Sequence, residues 1–434
     1  MKPLAIPLLT ALLASPPLLA QSTGNDSLRV TDHGAQCNGT ADDTAGLKAA
    51  LAAAQKTGRP LLITGSCTTR ETLNVPDNVQ IDGRGTGSIK SIGPSGRLLS
   101  LHGVSHVTVR ALRLDGSYPN ASVNYAIQVD QSSQVVLADL ELVNPGNGIG
   151  VSGGSREVII SRPRVIASHQ HGVEISDASD VTVREGLFDG QAGFGIIING
   201  TSSRIRVVDN TTHKSGLELV GATWSTSDLI ISGNHAANTG DNCYSLTGHN
   251  ISFTGNMGIG CAGNGLNIYG HHVTATGNYF RNNSQAWKTN AAWRAGILIG
   301  GGWGGTSQHN VVTGNVVDDD QPTPTQQYGI FIPANHPLTW AAGQAVTTGA
   351  FKVLGLRIYR AINNGTSGNT PPTHTAGTAS DGGVTWQYVD SYDTTAQPDF
   401  NIVMNNQLGR AAVAGFADHS TASSNQTPQP PGRR

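Results

Sequence analysis

The chain has 434 residues, of which 13% are charged, 5% aromatic and 55 glycine, with a formal charge of -2. That composition suits many short strands joined by turns better than long helices. The near-zero charge leaves no basic stripe, so nucleic acid is excluded as an expected partner.

In chain order, residues 1–20 read as an export signal. Lys2 supplies the positive start, an apolar run extends from Leu4 to Leu19, and Ala20 is a small residue ahead of Gln21. Pro3, Pro7, Pro16 and Pro17 interrupt the run, so no membrane span is expected. A secreted protein, extracellular or periplasmic, meets an oxidising compartment. Its four cysteines are therefore expected as two disulfides, Cys37–Cys67 and Cys243–Cys261. Residues 41–55 predict an amphipathic helix with Asp42 and Asp43 at its start, placed to cover an open sheet edge.

From there an apolar–x–apolar triplet recurs. The copies are Ile127–Val129, Ile149–Val151, Val173–Ile175, Ile196–Ile198, Leu217–Leu219, Tyr244–Leu246, Leu266–Ile268, Ile297–Ile299 and Ile330–Ile332, starting 22, 24, 23, 21, 27, 22, 31 and 33 residues apart. A second family of strands lies between them, such as Val158–Ile160 and Leu229–Ile231, often followed by Gly-Asn as in Gly233-Asn234 and Gly255-Asn256. One turn of such a chain cannot bury its own apolar face. Stacking turns about 4.8 Å apart pairs each strand with the next coil and buries one continuous core. The expected fold is all-β: a right-handed parallel β-helix of about ten or more coils spanning 21–335, with an N-terminal capping helix. Residues 33–44, His-Gly-Ala-Gln-Cys-Asn-Gly-Thr-Ala-Asp-Asp-Thr, resemble the N-terminal signature of pectate-lyase-superfamily β-helix enzymes, although Asn38 stands where that pattern more often has Asp.

Residues 336–390 break the repeat with Trp340, Tyr359, Asp381-Gly382-Gly383 and Trp386. They resemble small β modules of phage tails and carbohydrate-binding appendages, and read equally well as a structural insertion. Residues 391–420 are expected to finish the helix, and 421–434 to be a disordered tail.

A packed helix interior leaves chemistry to outward side chains. The middle positions of the triplets form a ladder that includes Glu174, Glu218, Ser245 and Asn267, while His171, Lys214, Ser215, Asp241, Asn242, Asn264 and Arg294 precede strands. Tyr269 follows one. Trp224, Trp287, Trp293 and Trp303 flank this stretch, either as sugar-stacking faces or as pins for their loops. Thr239-Gly240-Asp241-Asn242-Cys243 resembles the Gly-Asp-Asp-Cys strand of polygalacturonase-type glycoside hydrolases, and Cys261-Ala262-Gly263-Asn264-Gly265 their Cys-x-Gly-His-Gly strand. His213-Lys214-Ser215-Gly216 sits where the family has Asn-Thr-Asp-Gly. The resemblance implies a general-acid role for Asp241. It departs at Asn242, Ser215 and Asn264, and the family's Arg-x-Lys is missing at Ile297–Gly300.

The leading expectation is a secreted enzyme acting on a uronate-containing polysaccharide, with Asp241 as general acid and Glu218 as base, within the 6.5–9.5 Å that inversion requires. Glu174 is a further carboxylate in the same column. The alternatives are a lyase or C5-epimerase, with Lys214 or His171 as base and Arg294 or Lys288 neutralising the substrate carboxylate, and a non-catalytic polysaccharide-binding adhesin. No cofactor is expected. Asp318-Asp319-Asp320 is either a calcium site or, with more weight, a solvated turn.

Overall fold

The structure, a computed structural model, describes residues 27–94, 96–117, 123–286, 293–300, 307–333, 340–348, 350–354, 357–391, 398–420 and 424–427. The expected export signal, Trp287, Lys288 and Trp303 lie outside these residues.

Strands that bury alternate residues need partners, and this chain finds them in its own next turn. The recurrent triplets form one face of a right-handed parallel β-helix, a twelve-stranded sheet running from Leu73–Asn74 to Ala414–Asp418. In-register pairing stacks Ile127, Ile149, Val173, Ile196, Val220, Tyr244, Leu266, Ile297 and Ile330 into a single interior column, each with 0% exposure. Each such side chain contributes roughly 1.5–3 kcal/mol by leaving water, and the column belongs to a core continuous along the coils.

One expected register is wrong. In the coil after Ile196 the strand is Val220–Ala222, not Leu217–Leu219. Val220 pairs with Ile196 on one side and Tyr244 on the other. The strand starts are then 24 and 24 residues apart instead of 21 and 27, and Gly221, not Glu218, occupies the outward column.

The rest of each coil belongs to a 24-stranded sheet. It holds the second strand family and a third, unforeseen series of short strands such as Arg164–Ile166, His235–Ala237 and Met257–Ile259. Each of the latter turns only one side chain inward, and Ala236 and Gly258 serve as well as Val165 there, so no apolar pattern announces them. The two series meet at a left-handed residue: Asp139, Arg162, Glu185 and Asp209 in the early coils, Gly233, Gly255, Gly277 and Gly314 in the later ones. The asparagine after each glycine is buried and forms a ladder. Asn256 Oδ1 accepts from Asn234 N–H (3.0 Å), its Nδ2 donates to Ile231 C=O (2.9 Å), and Asn278 and Asn315 repeat the pattern. The ladder satisfies backbone groups that the corner takes out of the sheet.

The N-terminal helix is Thr44–Thr57, and it buries Leu47, Ala50, Leu51 and Ala54. The two aspartates stand before its first turn. Asp43, itself buried, accepts from the backbone N–H groups of Gln36, Cys37 and Thr68, which ties the helix to the first coils. Both expected disulfides form, Cys37–Cys67 and Cys243–Cys261. After Ile332 the chain builds a four-stranded antiparallel sheet, in the order Phe351–Leu354, Arg357–Ala361, Val384–Ser391, Thr378–Asp381. Trp386 is fully buried there, and the indole N–H groups of Trp340 and Trp386 both donate to Asp381 Oδ2 (2.8 and 3.3 Å). The coils then resume with Ile402–Met404 pairing on Val311–Thr313. Near the end, Asn425 caps an asparagine ladder through Asn401 N–H (3.0 Å), and Gln426 bridges to Ile402.

Candidate functional site

The outward column of the twelve-stranded sheet reads Ser100, Gln128, Gly150, Glu174, Ile197, Gly221, Ser245, Asn267, Leu298, Phe331. Two residues before each inner-column residue lies a parallel outward column: Arg97, Tyr125, Asn147, His171, Phe194, Glu218, Asn242, Asn264, Ala295, Tyr328. The two columns together produce two polar clusters and an apolar end.

The first cluster surrounds Glu174. The Tyr125 hydroxyl donates to Glu174 Oε2 (2.7 Å), and burial together with this carboxylate pushes the phenol well above its usual range. Gly150 makes the contact possible: a Cβ there would come within 2.7 Å of the Tyr125 ring. Arg97, Gln128, Asp130, Ser152 and Ser176 complete a cavity of about 260 Å³. His171 precedes Glu174 by three residues and is half-buried. The Phe194 N–H donates to His171 Nδ1 (3.1 Å), and burial holds the imidazole below its normal pKa against the pull of Glu174. The neutral ring therefore carries its proton on Nε2, and its basic lone pair is already used, so His171 is not free to act as a base.

The second cluster lies two to four coils further on and joins Glu218, Asp241, Asn242, Ser245, Asn264, Asn267 and Tyr269. Glu218 is 5% exposed. Its Oε1 accepts from Ser245 Oγ (2.6 Å) and Asn242 Nδ2 (3.2 Å). Burial and the nearby Asp241 push Glu218 up to about 7 despite these donors. Burial also raises the half-buried Asp241, opposed by the Asn242 N–H. Asn242 Oδ1 accepts from Asn264 N–H (2.9 Å), Asn264 Nδ2 donates to Asn267 Oδ1 (2.9 Å), and Asn267 Nδ2 donates to the Tyr269 hydroxyl (2.5 Å). Burial first, then Asp241 and Glu218, push the Tyr269 phenol far up, so it stays protonated at any ordinary pH. Two carboxyls with raised pKa values thus lie in neighbouring coils, Glu218 buried and Asp241 half-buried, an arrangement that can hold a proton near neutrality.

Between the clusters, Phe194 packs its ring over Gly221, where a Cβ would approach to 2.5 Å, and tilts against His171 at 5.5 Å. Beyond Asn267 the columns turn apolar. Trp293 (9% exposed) meets Phe331 edge-on at 6.3 Å, above Leu298 and beside Tyr269 and Tyr328. Trp293 thus pins its segment instead of presenting a face to sugar, whereas Trp224, after the Val220–Ala222 strand, is 40% exposed. Lys214 is exposed on Thr211–Ser215, a strand of the larger sheet, in register with Asp189, and so does not join either cluster. Ser215 stacks with Thr239 and not with Asp241; the true match of Ser215-Gly216-Leu217-Glu218 is Thr239-Gly240-Asp241-Asn242. Arg294 immediately precedes the strand Ala295–Ile299. The acidic run 318–320 is structural. Asp319 is buried and accepts from Thr325 and Gln326 N–H, Asp318 accepts from Arg410 N–H, and Asp320 pairs with Arg281.

Sequence reasoning missed Tyr125, Arg97 and Phe194. All three lie two residues before an inner-column position, a signal present in the sequence once every strand is placed in register.

Residues 97–216 and 147–303 match the family model described as a right-handed beta helix region. No curated protein sequence matches the chain. Among solved structures, the A-module of the Azotobacter vinelandii mannuronan C-5 epimerase AlgE4 is similar over 92% of this chain and 100% of its own, with TM-score 0.63 and 15% identity. PfbA, a surface adhesin of Streptococcus pneumoniae, is similar over 70% of this chain and 88% of its own, with TM-score 0.55 and 13% identity. Bacteriophage phi29 gene product 12 is similar over 70% of this chain and half of its own, with TM-score 0.54 and 14% identity. At these identities the likeness is one of fold, and it is not specific to polygalacturonases.

Proposed function

We propose that the protein is a secreted enzyme that cleaves glycosidic bonds of a uronate-containing polysaccharide by hydrolysis, with Asp241 as the proton-transferring group and Glu218 as its buried partner. The observation that carries this reading is the carboxyl pair: two carboxyls whose pKa values burial raises, in adjacent coils, at the floor of a polar face. A general acid at neutral pH needs a carboxyl that keeps its proton, and burial beside a second carboxyl is how proteins achieve that. The polar face ends at the Trp293–Phe331 cluster and continues past Phe194 to the Tyr125–Glu174 cavity, whose Glu174 lies three coil spacings, about 14 Å, from the coil of Asp241, a span suited to several sugar units. The two disulfides agree with an exported protein. Elimination or epimerisation is less favoured: Tyr269 stays protonated, His171 has its lone pair occupied, and Lys214 is on another sheet.

The test is to incubate the protein with pectic, alginate-like and bacterial capsular polymers and follow reducing ends together with ultraviolet absorbance of unsaturated uronates. Hydrolysis predicts reducing ends without absorbance, lost in Asp241→Asn. Absorbance rising with the reducing ends would replace hydrolysis by elimination. Saturable binding with neither signal from any polymer would leave a C5-epimerase, which cuts no glycosidic bond, or a non-catalytic adhesin.

A further inference from the structure

Outside the polar face, four histidines from three consecutive coils crowd one corner of the helix. His249 and His271 open the strands His249–Thr254 and His271–Thr276 and pair in register. Their rings stack at 5.1 Å and 8°. In an extended strand the next residue would point to the opposite face. Here it does not, because His272 takes φ +55°, as His309 does at +57° one coil later. The left-handed turn swings His272 beside His271, ring planes 75° apart, and brings the two Nδ1 atoms to 2.8 Å. His272 then stacks on His309 at 5.2 Å and 7°. His272 and His309 are exposed, and His249 and His271 half-buried.

We propose that His271 and His272 form a binding site for a divalent transition-metal ion, of the Cu²⁺ or Ni²⁺ class, with both Nδ1 atoms as neighbouring ligands. Metal–imidazole bonds of about 2.0–2.1 Å set the nitrogen separation by simple geometry. Ligands at a right angle lie about 2.9 Å apart, and tetrahedral ones about 3.3 Å. The 2.8 Å contact fits the right angle, and tetragonal coordination is the preference of Cu²⁺ and Ni²⁺. At 2.8 Å the two Nδ1 atoms share one hydrogen bond, so the metal takes the place of that proton, which moves to Nε2 of the same ring. The acids near this corner are engaged elsewhere: Asp228 accepts from Asn250 Nδ2 (3.1 Å) and Ser227 Oγ (3.1 Å), and Asp399, whose carbonyl accepts from the His309 N–H, uses its carboxylate on the Phe400 and Ser424 N–H groups (2.8 and 3.1 Å). Because His272 is exposed, the remaining coordination positions open to water.

The test is calorimetric titration of the full, chelator-stripped chain with CuCl₂ and NiCl₂ at pH 7.5, with electron paramagnetic resonance of the copper form. One saturable equivalent and hyperfine coupling to two imidazole nitrogens are expected. His271→Gln and His272→Asn, the latter chosen because Asn tolerates positive φ, should each weaken Cu²⁺ at least tenfold while leaving the metal-free Tm unchanged. His213→Gln should bind as the wild type does. Absence of a saturable site, or unchanged affinity in both variants, overturns the proposal. If a variant loses its fold, the wild-type spectrum decides alone: coupling to fewer than two imidazole nitrogens refutes the pair.

Discussion

Replacing Glu218 by Gln should remove a pH dependence from the stability of the whole helix. Glu218 sits at about 7 in the folded chain against 4.5 for the free side chain. A raised carboxyl binds its proton more tightly when folded. Its contribution is therefore greatest below pH 4.5, falls as pH rises between the two values, and is lost above 7. The gap corresponds to about 3 kcal/mol at 1.36 kcal/mol per pKa unit. With about 2.1 cal/mol/K of unfolding entropy per residue, that amounts to roughly 4 °C in Tm for a chain of this size. Glu218→Gln keeps an oxygen to accept from Ser245 and Asn242 and cannot ionise. Thermal unfolding followed by circular dichroism at pH 5 and pH 8 should show wild-type Tm dropping about 3 °C more than that of the variant, because pH 5 already lies above the unfolded value and titrations of groups remote from Glu218 cancel in the difference. Parallel curves would mean that Glu218 is not desolvated and that the buried carboxyl pair does not exist.

Asp241→Asn should cut the release of reducing ends at least 100-fold, within the usual range for losing a general acid, whereas Lys214→Ala should leave the rate within twofold, to be read in the same sugar assay. Asn256→Ala strips partners from the Asn234 N–H and Ile231 C=O. At about 1–3 kcal/mol for each buried group left unsatisfied, it should lower the urea midpoint clearly, and an unchanged midpoint would show that the ladder is incidental. Gly255 has φ +65° and open space around its missing side chain, so Gly255→Ala tests backbone conformation alone. It should cost about 1–2 kcal/mol, and a neutral result would show that the corner relaxes freely.

The polar face was legible residue by residue only where strand register was secure. Ser245, Asn267, Asn242 and Asn264 lie where the triplets Tyr244–Leu246 and Leu266–Ile268 place them. Glu218 stands out in the sequence because Leu-Glu-Leu imitates a strand, which placed it in one column with Glu174, two coils away. It lies instead two residues ahead of a strand, over the same column as Asn242. The Trp residues divide likewise: composition could not tell pin from platform, and only packing shows Trp293 wedged against Phe331.

The chain by itself determined the β-helix, since an apolar pair repeating once per coil has no way to be buried except against its own copies. It also determined the disulfides and the asparagine corners, which depend on residues one coil apart. What the tertiary structure decided was register and proximity. Period-2 alternation fits Leu217–Leu219 and Val220–Ala222 almost equally well, and the choice is made by hydrogen bonds to Ile196 and Tyr244 in neighbouring coils. That three-residue difference takes Glu218 out of the column of Glu174 and sets its carboxylate against Asn242 and Ser245, in the coil next to its own and close to Asp241.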